Sequence, residues 1–367
     1  MAKALAASSE HDYHFYGDDR DPLQSGIEPY LFPRHARFTV CHTWHRGPHL
    51  AWQGSALHTA AAGDYDALIL EGTYNLLSNW PALLAARARR KRTLLYGHGW
   101  LREESGAKGR LRNAFYRLAD AHLLYGTRAR QIGMRAGFNP EALHVVHNSL
   151  NYESITAARE RVTESDCRAW RRQLLGDGEM RPLLLCVGRL VAAKQLDLLL
   201  EAAAVMQARG IPPNLVLVGD GPEREALEQK ARAKELDVRF LAAEHDEERL
   251  ALIFSSADVT VIPGAAGLTV IHSLSYGTPV ITHSDMDTQM PEAEAIAPGS
   301  TGFLFKPGDA VALSETISQC LRELPRSNQT RVNCINQVEA SYTPKRMQTV
   351  FDRAVSGSPA SSEGLQR

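Results

Sequence analysis

Two cations stand directly after a short apolar run. Leu183-Leu184-Leu185-Cys186-Val187 leads into Gly188 and Arg189, and Lys194 follows five residues later. In an open α/β sheet, ligands collect beyond the carboxyl ends of the strands. Gly188 lets the chain turn closely, and the helix that follows aims its first N–H groups at a bound anion. Arg189 offers a planar guanidinium fork and Lys194 a mobile point charge. Such a pair suits a diphosphate leaving group, whose negative charge rises as its bond to carbon breaks. Two solvated surface cations are the plainer alternative.

Two further segments have the same form. Val218-Gly219-Asp220-Gly221-Pro222 ends another apolar strand, with glycines for backbone freedom and a proline suited to the first turn of a helix. Alone it reads as a strand-to-helix turn; beside the first segment it reads as a second wall of one ligand cleft. Neither GxGxxG nor GxxxxGK[ST] occurs, which argues against a dinucleotide fingerprint and a P-loop. The small-residue stretch Pro263-Gly264-Ala265-Ala266-Gly267 then enters a helix through Leu268 and Thr269, with His272 one turn further in. Amides near Gly267 to Thr269 are placed to hold phosphate oxygens, and His272 to hydrogen-bond a sugar hydroxyl or to sit as a satisfied core histidine.

In the amino-terminal half, His98 lies between two glycines at a strand end, where an imidazole serves as base, orienter or sugar hydrogen-bond donor. His42, His45 and His49 are spaced HxxHxxxH without the glutamate of HExxH. Lining of an acceptor site fits them better than metal binding. From Arg87 to Arg135 there are 13 basic and 3 acidic side chains. This stretch reads either as solvated helix surface, or as an amphipathic face. In the second case Leu111, Ala114, Phe115 and Leu118 pack inward and Arg110, Arg112 and Arg117 meet anionic lipid or a pyrophosphate-linked acceptor.

The elements that must position these residues alternate in type. Strands are expected at 67–70, 93–96, 121–125 and 144–147, with helices at 76–88, 109–118 and 127–136 between them. A second series has strands at 183–187, 214–218, 238–241, 258–262 and 279–282, the last closing the set. Its helices fall at 195–208, 222–235, 246–254 and 268–275, with two more at 309–323 and 344–354. Alternation of this kind means βαβ units and a mostly parallel sheet. Residues 1–160 are read as one domain, 161–180 as a linker region and 181–340 as a second domain. Residues 341–355 are read as a helix packing back toward the first domain, and 356–367 as a disordered tail. His11 to Phe15 makes a poor central strand, so the first domain is expected to lack its first strand, through truncation or a misassigned start.

Length and composition narrow the class. The 367 residues favour two domains over one. With 44% hydrophobic and 23% charged residues, collagen-like and wholly disordered readings are excluded. The net charge of -1 hides an asymmetry: residues 1–150 carry 18 basic and 13 acidic side chains. That pattern points to an anionic partner met locally, and no nucleic-acid motif is present. Five scattered cysteines with no CxxC pair read as reduced thiols. With no secretory pattern and no long apolar run, the chain is expected in the cytoplasm, at or near the inner face of a membrane.

Taken in order, GRL-x3-K, LVLVGDGPEREALE, VRFL, ADVTVIP, GL-x3-H, YGTPVI and STGFLFKPGD resemble the donor-binding domain of GT-B glycosyltransferases of family 4, the retaining, sugar-nucleotide-dependent group. The resemblance is strong over 181–325 and weaker in the first half. It implies an α/β fold of two doubly wound Rossmann-like domains facing across a cleft. It also implies transfer of a sugar from a UDP- or GDP-sugar to a glycan or lipid-linked acceptor in surface polysaccharide assembly, without a metal. By the resemblance, Gly188, Arg189 and Lys194 hold the donor diphosphate, and Gly219, Asp220, Gly221 and Pro222 lie close to the nucleotide. Phe240 and Leu241 match the base-contacting stretch; His98 faces the sugar, and with Arg189 and Lys194 makes up the catalytic set.

The chain departs from the family where two glutamates usually flank the glycine-leucine pair: Gly264 and His272 stand there. The first glutamate usually meets the transferred sugar and the second the ribose. Glu292 and Glu294, after Pro291, are candidates for a substitute carboxylate. Three competing readings stay open: a phosphorylase, a sugar-nucleotide epimerase, and a catalytically degenerate paralogue that binds nucleotide or glycan for a partner enzyme.

Overall fold

The computed structural model describes residues 1–18, 35–47, 50–178 and 180–361. They divide into two units, Met1–His147 with the chain from Pro344 onward, and Asn148–Thr343.

The first unit opens with α1 (Ala2–Ala6), β1 (His14–Gly17) and β2 (Arg37–Val40), the two strands pairing in parallel. An antiparallel pair follows, β3 (Thr43–Arg46) with β4 (Leu50–Gln53), then α2 (Gly54–Ala62). The main sheet comes next. Its strands are β5 (Ala67–Glu71), β6 (Arg92–Gly97), β7 (Ala121–Leu124) and β8 (Leu143–Val145), parallel and in that order. Its crossovers are α3 (Asn79–Ala88), α4 (Gly106–Tyr116) and α5 (Thr127–Arg135). Leu94, Leu95, Leu123 and Leu124 are buried, as continuous apolar runs between helices must be.

Among the described residues, no strand pairs with the outer edge of β5. A cavity of about 1300 Å³ lies beside it, lined by residues of both β1 and β5. The weak apolar character of His11 to Phe15 has its counterpart here, because among the described residues β1 pairs only with β2.

The second unit begins with α6 (Tyr152–Arg161) and α7 (Glu164–Leu175). Residues 161–180, read from texture as a linker, pack instead. Thr163 and Asp166 form a reciprocal capping box, Cys167 and Leu175 are buried, and Arg171 bonds Asp258 at 3.0 Å. Six parallel strands follow: β9 (Leu183–Val187), β10 (Asn214–Val218), β11 (Val238–Leu241), β12 (Val259–Ile262), β13 (Val280–His283) and β14 (Gly302–Phe305). Their order is β11-β10-β9-β12-β13-β14, so the order of strand addition reverses between β9 and β12. α8 (Leu196–Ala208), α9 (Arg224–Ala233), α10 (Glu247–Ser256), α11 (Thr269–Ser275) and α12 (Ala310–Glu323) cover its faces.

β14 corrects the expectation that the strand at 279–282 is the last. Four residues bounded by Thr301 and Lys306-Pro307-Gly308 look like a turn until β13 offers them a partner. α13 (Asn328–Ser341) also escapes a periodicity search, since only Thr330, Cys334 and Val338 are buried along it. α14 (Pro344–Val355) returns to the first unit. Its stripe of Met347, Phe351 and Ala354 packs on Leu94, Leu123 and Val146, while Asp352 accepts from Tyr13 Oη at 2.8 Å. In the expected disordered tail, residues 356–361 are placed, with the Ala360 amide donating to Glu141 O at 2.8 Å; residues 362–367 lie outside the described set.

α4 is turned relative to the amphipathic face expected of it. Leu111 is 49% exposed and Ala114 is exposed, whereas Arg112 is buried and paired with Glu104. Phe115 and Tyr116 are both buried, and seating adjacent aromatics brings Gly109 and Arg112 inward with them. Other cations of the basic stretch also work internally. Lys91 donates to Thr59 O (3.2 Å) and Gly63 O, Arg130 to Leu143 O (3.1 Å), and Arg92 to Ala354 O (2.8 Å). Arg117 lies over the Phe138 ring and Arg135 pairs with Glu103. No described helix is long and apolar enough to cross a membrane.

His122, His144 and His147 each have a pKa lowered to about 4, in every case chiefly by burial. The unfolded chain takes up these protons near pH 6.5 and the folded chain only near 4. Between those values the unfolded state binds more protons, so stability falls as pH falls. We expect the melting temperature to drop by several degrees from pH 7 to pH 5, on the order of 1 kcal/mol per histidine. Calorimetric melting at the two pH values measures it, and an unchanged midpoint would contradict these assignments.

Candidate functional site

The reversal of strand order between β9 and β12 sets the loops at their carboxyl ends side by side, and three of the expected segments converge there. The Gly188 amide donates to Val218 O and the Leu190 amide to Asp220 O, both at 2.9 Å. These bonds lace the loop after β9 to the loop after β10. They need Gly219 and Gly221, at φ 143° and 157°, because a Cβ at either would overlap the carbonyl oxygen of Gly188 or Leu190. Asp220 turns back on the same loop, its Oδ1 accepting from the Gly221 amide at 2.9 Å, and Pro222 leads toward α9.

The loop after β12 is fastened from the other side. Gly264 N donates to Lys194 O at 2.9 Å and Ala265 N to Ala193 O at 3.0 Å. Lys194 Nζ closes the contact, donating to Ala265 O at 2.6 Å and Ala266 O at 3.3 Å. The lysine read from sequence as a mobile charge is therefore held against backbone carbonyls. Burial keeps its pKa below the usual lysine value, with Cys186 and Glu292 acting in the opposite sense. Arg189 is exposed, and no described residue bonds its guanidinium. Thr269 Oγ1 donates to Val187 O at 3.2 Å, which sets the Gly267-Leu268-Thr269 entrance of α11 beside Gly188.

Gly264 has no room for a side chain. A Cβ there would overlap Ala193 O and lie 2.7 Å from the Lys194 carbonyl carbon. Of the candidate substitute carboxylates, Glu292 is buried within electrostatic reach of Lys194, its Oε1 accepting from Asn148 Nδ2 at 3.0 Å, and Glu294 is half-buried.

Phe240 and Leu241 send their side chains into the two hydrophobic cores on either face of the sheet. What they present at the strand end is backbone. Leu241 O accepts from Gly219 N at 3.2 Å, and both carbonyls accept from Arg224 at 3.3 Å. His272 is likewise engaged, its Nε2 lying 2.6 Å from Glu247 Oε1. His98 belongs to the first unit, half-buried after β6, its ring 4.8 Å from that of Tyr125. His42 and His45 flank and enter β3, and His49 lies outside the described residues.

Four residues of this neighbourhood carry no distinctive local signal. Arg224 ties the ends of β10 and β11, donating also to Gly219 O at 3.1 Å. Gln289 is buried behind the small-residue loop. It accepts from Ala266 N and donates to Gly264 O, both at 3.0 Å. Glu247 and Tyr276 complete the surroundings of His272. Only Arg224, directly after the Gly-Asp-Gly-Pro turn, is near enough in sequence to have drawn notice.

Residues 169–339 match the family model described as Glycosyl transferases group 1. The matched stretch lies within the second unit. Among curated proteins, the chain is similar to a GDP-mannose-dependent alpha-(1-6)-phosphatidylinositol dimannoside mannosyltransferase of Mycobacterium tuberculosis. The two are 36% identical over 102 residues, 27% of this chain and 26% of that protein. The chain thus matches about a quarter of that relative's length. Among solved structures, sucrose-phosphate synthase of Thermosynechococcus elongatus aligns with a TM-score of 0.69 at 19% identity, over 97% of this chain and 91% of that one. Anabaena HepE in complex with UDP and glucose aligns with a TM-score of 0.67 at 19% identity, over 97% and 95%. At these identities the likeness is one of fold: two α/β Rossmann-like domains of GT-B type.

The packing at Gly264 gives a direct expectation. Gly264→Ala should force the loop off Ala193 and Lys194 and destabilise the chain by about 1–3 kcal/mol. Gly264→Glu should be worse rather than restorative. Denaturant melts of both variants test this, and an Ala variant as stable as the parent would contradict the geometry.

Proposed function

We propose that the protein is a retaining glycosyltransferase moving a sugar from a nucleotide-diphosphate sugar to a glycan or lipid-linked acceptor, in assembly of a surface polysaccharide. The observation that carries this reading is the meeting of the loops at the carboxyl ends of β9 and β12. There an unengaged arginine, a fastened lysine and the entrance of α11 stand around one spot, within the stretch that matches the group 1 glycosyl transferase model. The charge that develops in sugar transfer lies on the departing diphosphate. Fixed donors stabilise it without reorganising during the reaction. Arg189 would clamp the diphosphate, and Lys194 would keep the loop amides in place while adding its own charge. His98, half-buried after β6 in the first unit, would hydrogen-bond a substrate hydroxyl. In the retaining step the anomeric carbon–oxygen bond to diphosphate breaks. The acceptor oxygen bonds that carbon on the same face, and its proton passes to the leaving phosphate.

UDP and GDP are both candidates: HepE was solved with UDP and glucose, and the mycobacterial relative is GDP-mannose-dependent. A second reading has support at Gly264, where no carboxylate can stand, and makes the chain a nucleotide-binding partner of another enzyme.

Titration calorimetry of UDP and of GDP, with and without magnesium, tests the donor site. We expect one nucleotide to bind saturably and independently of magnesium. Arg189→Ala should weaken binding by about tenfold to a hundredfold, as for loss of a charge-assisted contact. Absence of binding by folded protein would refute the donor site. Binding without sugar transfer across acceptor panels would favour the partner-protein reading.

A further inference from the structure

The large apolar side chains that stay exposed are shared unevenly. Eight of the thirteen among the described residues lie between residues 40 and 111, in the first unit. Exposed apolar residues are ordinary when scattered, but a gathering of them rimmed by charge marks an interaction surface. In the β3–β4 hairpin, strand alternation turns Thr43, His45, Ala51 and Gln53 toward the cavity beside β5 and leaves Trp44 and Trp52 on the other face. The two tryptophans are directly opposite in register, 60% and 39% exposed. The hairpin adjoins the approach to α3, where the Leu77 amide donates to Ala51 O at 2.8 Å.

α3 and α4 lie side by side. The Trp80 ring is 5.1 Å from that of Phe115, and Arg87 donates to Leu118 O at 3.4 Å. Leu84, 55% exposed, falls between Trp80 and Arg87 on one helical face, so it stands beside α4. On α4 itself, seating Phe115 and Tyr116 leaves Arg110, Leu111, Ala114 and Arg117 exposed together on the opposite side. This differs from the amphipathic face expected of the sequence, because the leucine joins the arginines in solvent and Arg112 is withdrawn to Glu104.

The charge on this face is uncompensated from within. Of the three acidic residues between 87 and 135, Glu103 pairs with Arg135 at 2.7 Å and Glu104 with Arg112. Asp120 accepts from the Thr93 amide at 2.8 Å. That leaves Arg110 and Arg117 without a carboxylate from the stretch. A polyanion in solution would meet these cations but gives no role to exposed indoles and leucines. A lipid surface uses both: headgroup phosphates take the arginines, and the boundary with the acyl chains takes tryptophan and leucine. We infer that this face of the first unit, from the Trp44–Trp52 pair past Leu84 to Arg110, Leu111 and Arg117, docks on an anionic lipid bilayer. It lies on the membrane, since no described helix is long and apolar enough to cross one. On the glycosyltransferase reading, such a face keeps the chain where a lipid-linked acceptor resides; the docking itself is independent of that reading.

Flotation of the full chain with vesicles tests it. One set is phosphatidylcholine alone, and the other contains about a third phosphatidylglycerol. Binding is expected to the anionic vesicles only, and it should weaken when salt is raised from about 0.1 M to about 0.5 M. Arg110→Gln should lower the partition about fivefold, as for one cation at an anionic surface. Leu111→Ser combined with Trp44→Ser should lower it about tenfold or more. All three side chains are exposed, so these variants should keep the wild-type melting temperature and nucleotide titration. Should one fail to fold, quenching of wild-type tryptophan emission by brominated anionic vesicles reads the same contact. Flotation with both vesicle types alike, none with the anionic ones, absence of quenching, or folded variants that float like the wild type would overturn the proposal and leave the donor site standing. Failure to bind nucleotide, with flotation intact, would sink the donor site alone.

Discussion

Backbone meeting backbone at the carboxyl ends of β9, β10 and β12 is the constraint on which the second unit's chemistry depends. The loops after these strands approach until amides and carbonyls bond directly, Gly188 to Val218, Leu190 to Asp220 and Gly264 to Lys194. Contacts this close exclude a Cβ at Gly219, Gly221 and Gly264. They also dispense with flexible side chains as the framework of the site. Of the two expected cations, Arg189 alone stays exposed and unengaged by the described residues. Lys194 is part of the scaffold, bridging its own loop to the one after β12.

On the proposed reading, this arrangement would hold a diphosphate with few side chains. Where the local dielectric is low, preorganised donors act strongly and need not move as charge develops. Desolvation opposes the charge on Lys194, as its lowered pKa records, but two carbonyl acceptors offset part of that cost. Gln289, behind the loop, satisfies Ala266 N and Gly264 O, polar groups that would otherwise be buried without partners. The loop thus stays irregular, small and fully bonded at the place where a ligand approaches.

The first unit solves a different problem with a similar sheet. Its four main strands are covered by α3, α4 and α5 on the chain's way through, and by α14 on its return. The apolar stripe of α14 shares one core with β6 and β7. Some of the cations that look like a surface feature in the sequence are drawn into that packing, while Arg87, Arg89, Arg90, Arg102, Lys108, Arg110, Arg117 and Arg135 stay exposed: Lys91, Arg92 and Arg130 saturate backbone carbonyls, and Arg112 meets Glu104. A run of like charge in sequence is not a run of like charge in space, because helical and strand periodicities deal successive residues to different faces.

Most of the second unit was legible in its sequence. Apolar runs such as Leu183–Val187 and Asn214–Val218, each closed by glycine, have few other ways to bury themselves, so strand type and order along the chain followed from composition and spacing. Gly188, Gly219 and Gly221 could be singled out because close turns leave a residue-type signature. β14 could not, since a four-residue strand bounded by turn residues becomes a strand only when β13 presents an unpaired edge. The rotation of α4 was equally hidden: Phe115 and Tyr116 could not both be seated without carrying Arg112 inward, and only packing against the sheet decides that. The pairing of His272 with Glu247, 25 residues apart on different helices, and the fastening of Lys194 to carbonyls more than 70 residues away belong to the same class. Local residue types determine which chemistry is available. Which group is spent on structure and which remains free for a ligand depends on partners that only the folded chain brings within hydrogen-bonding distance.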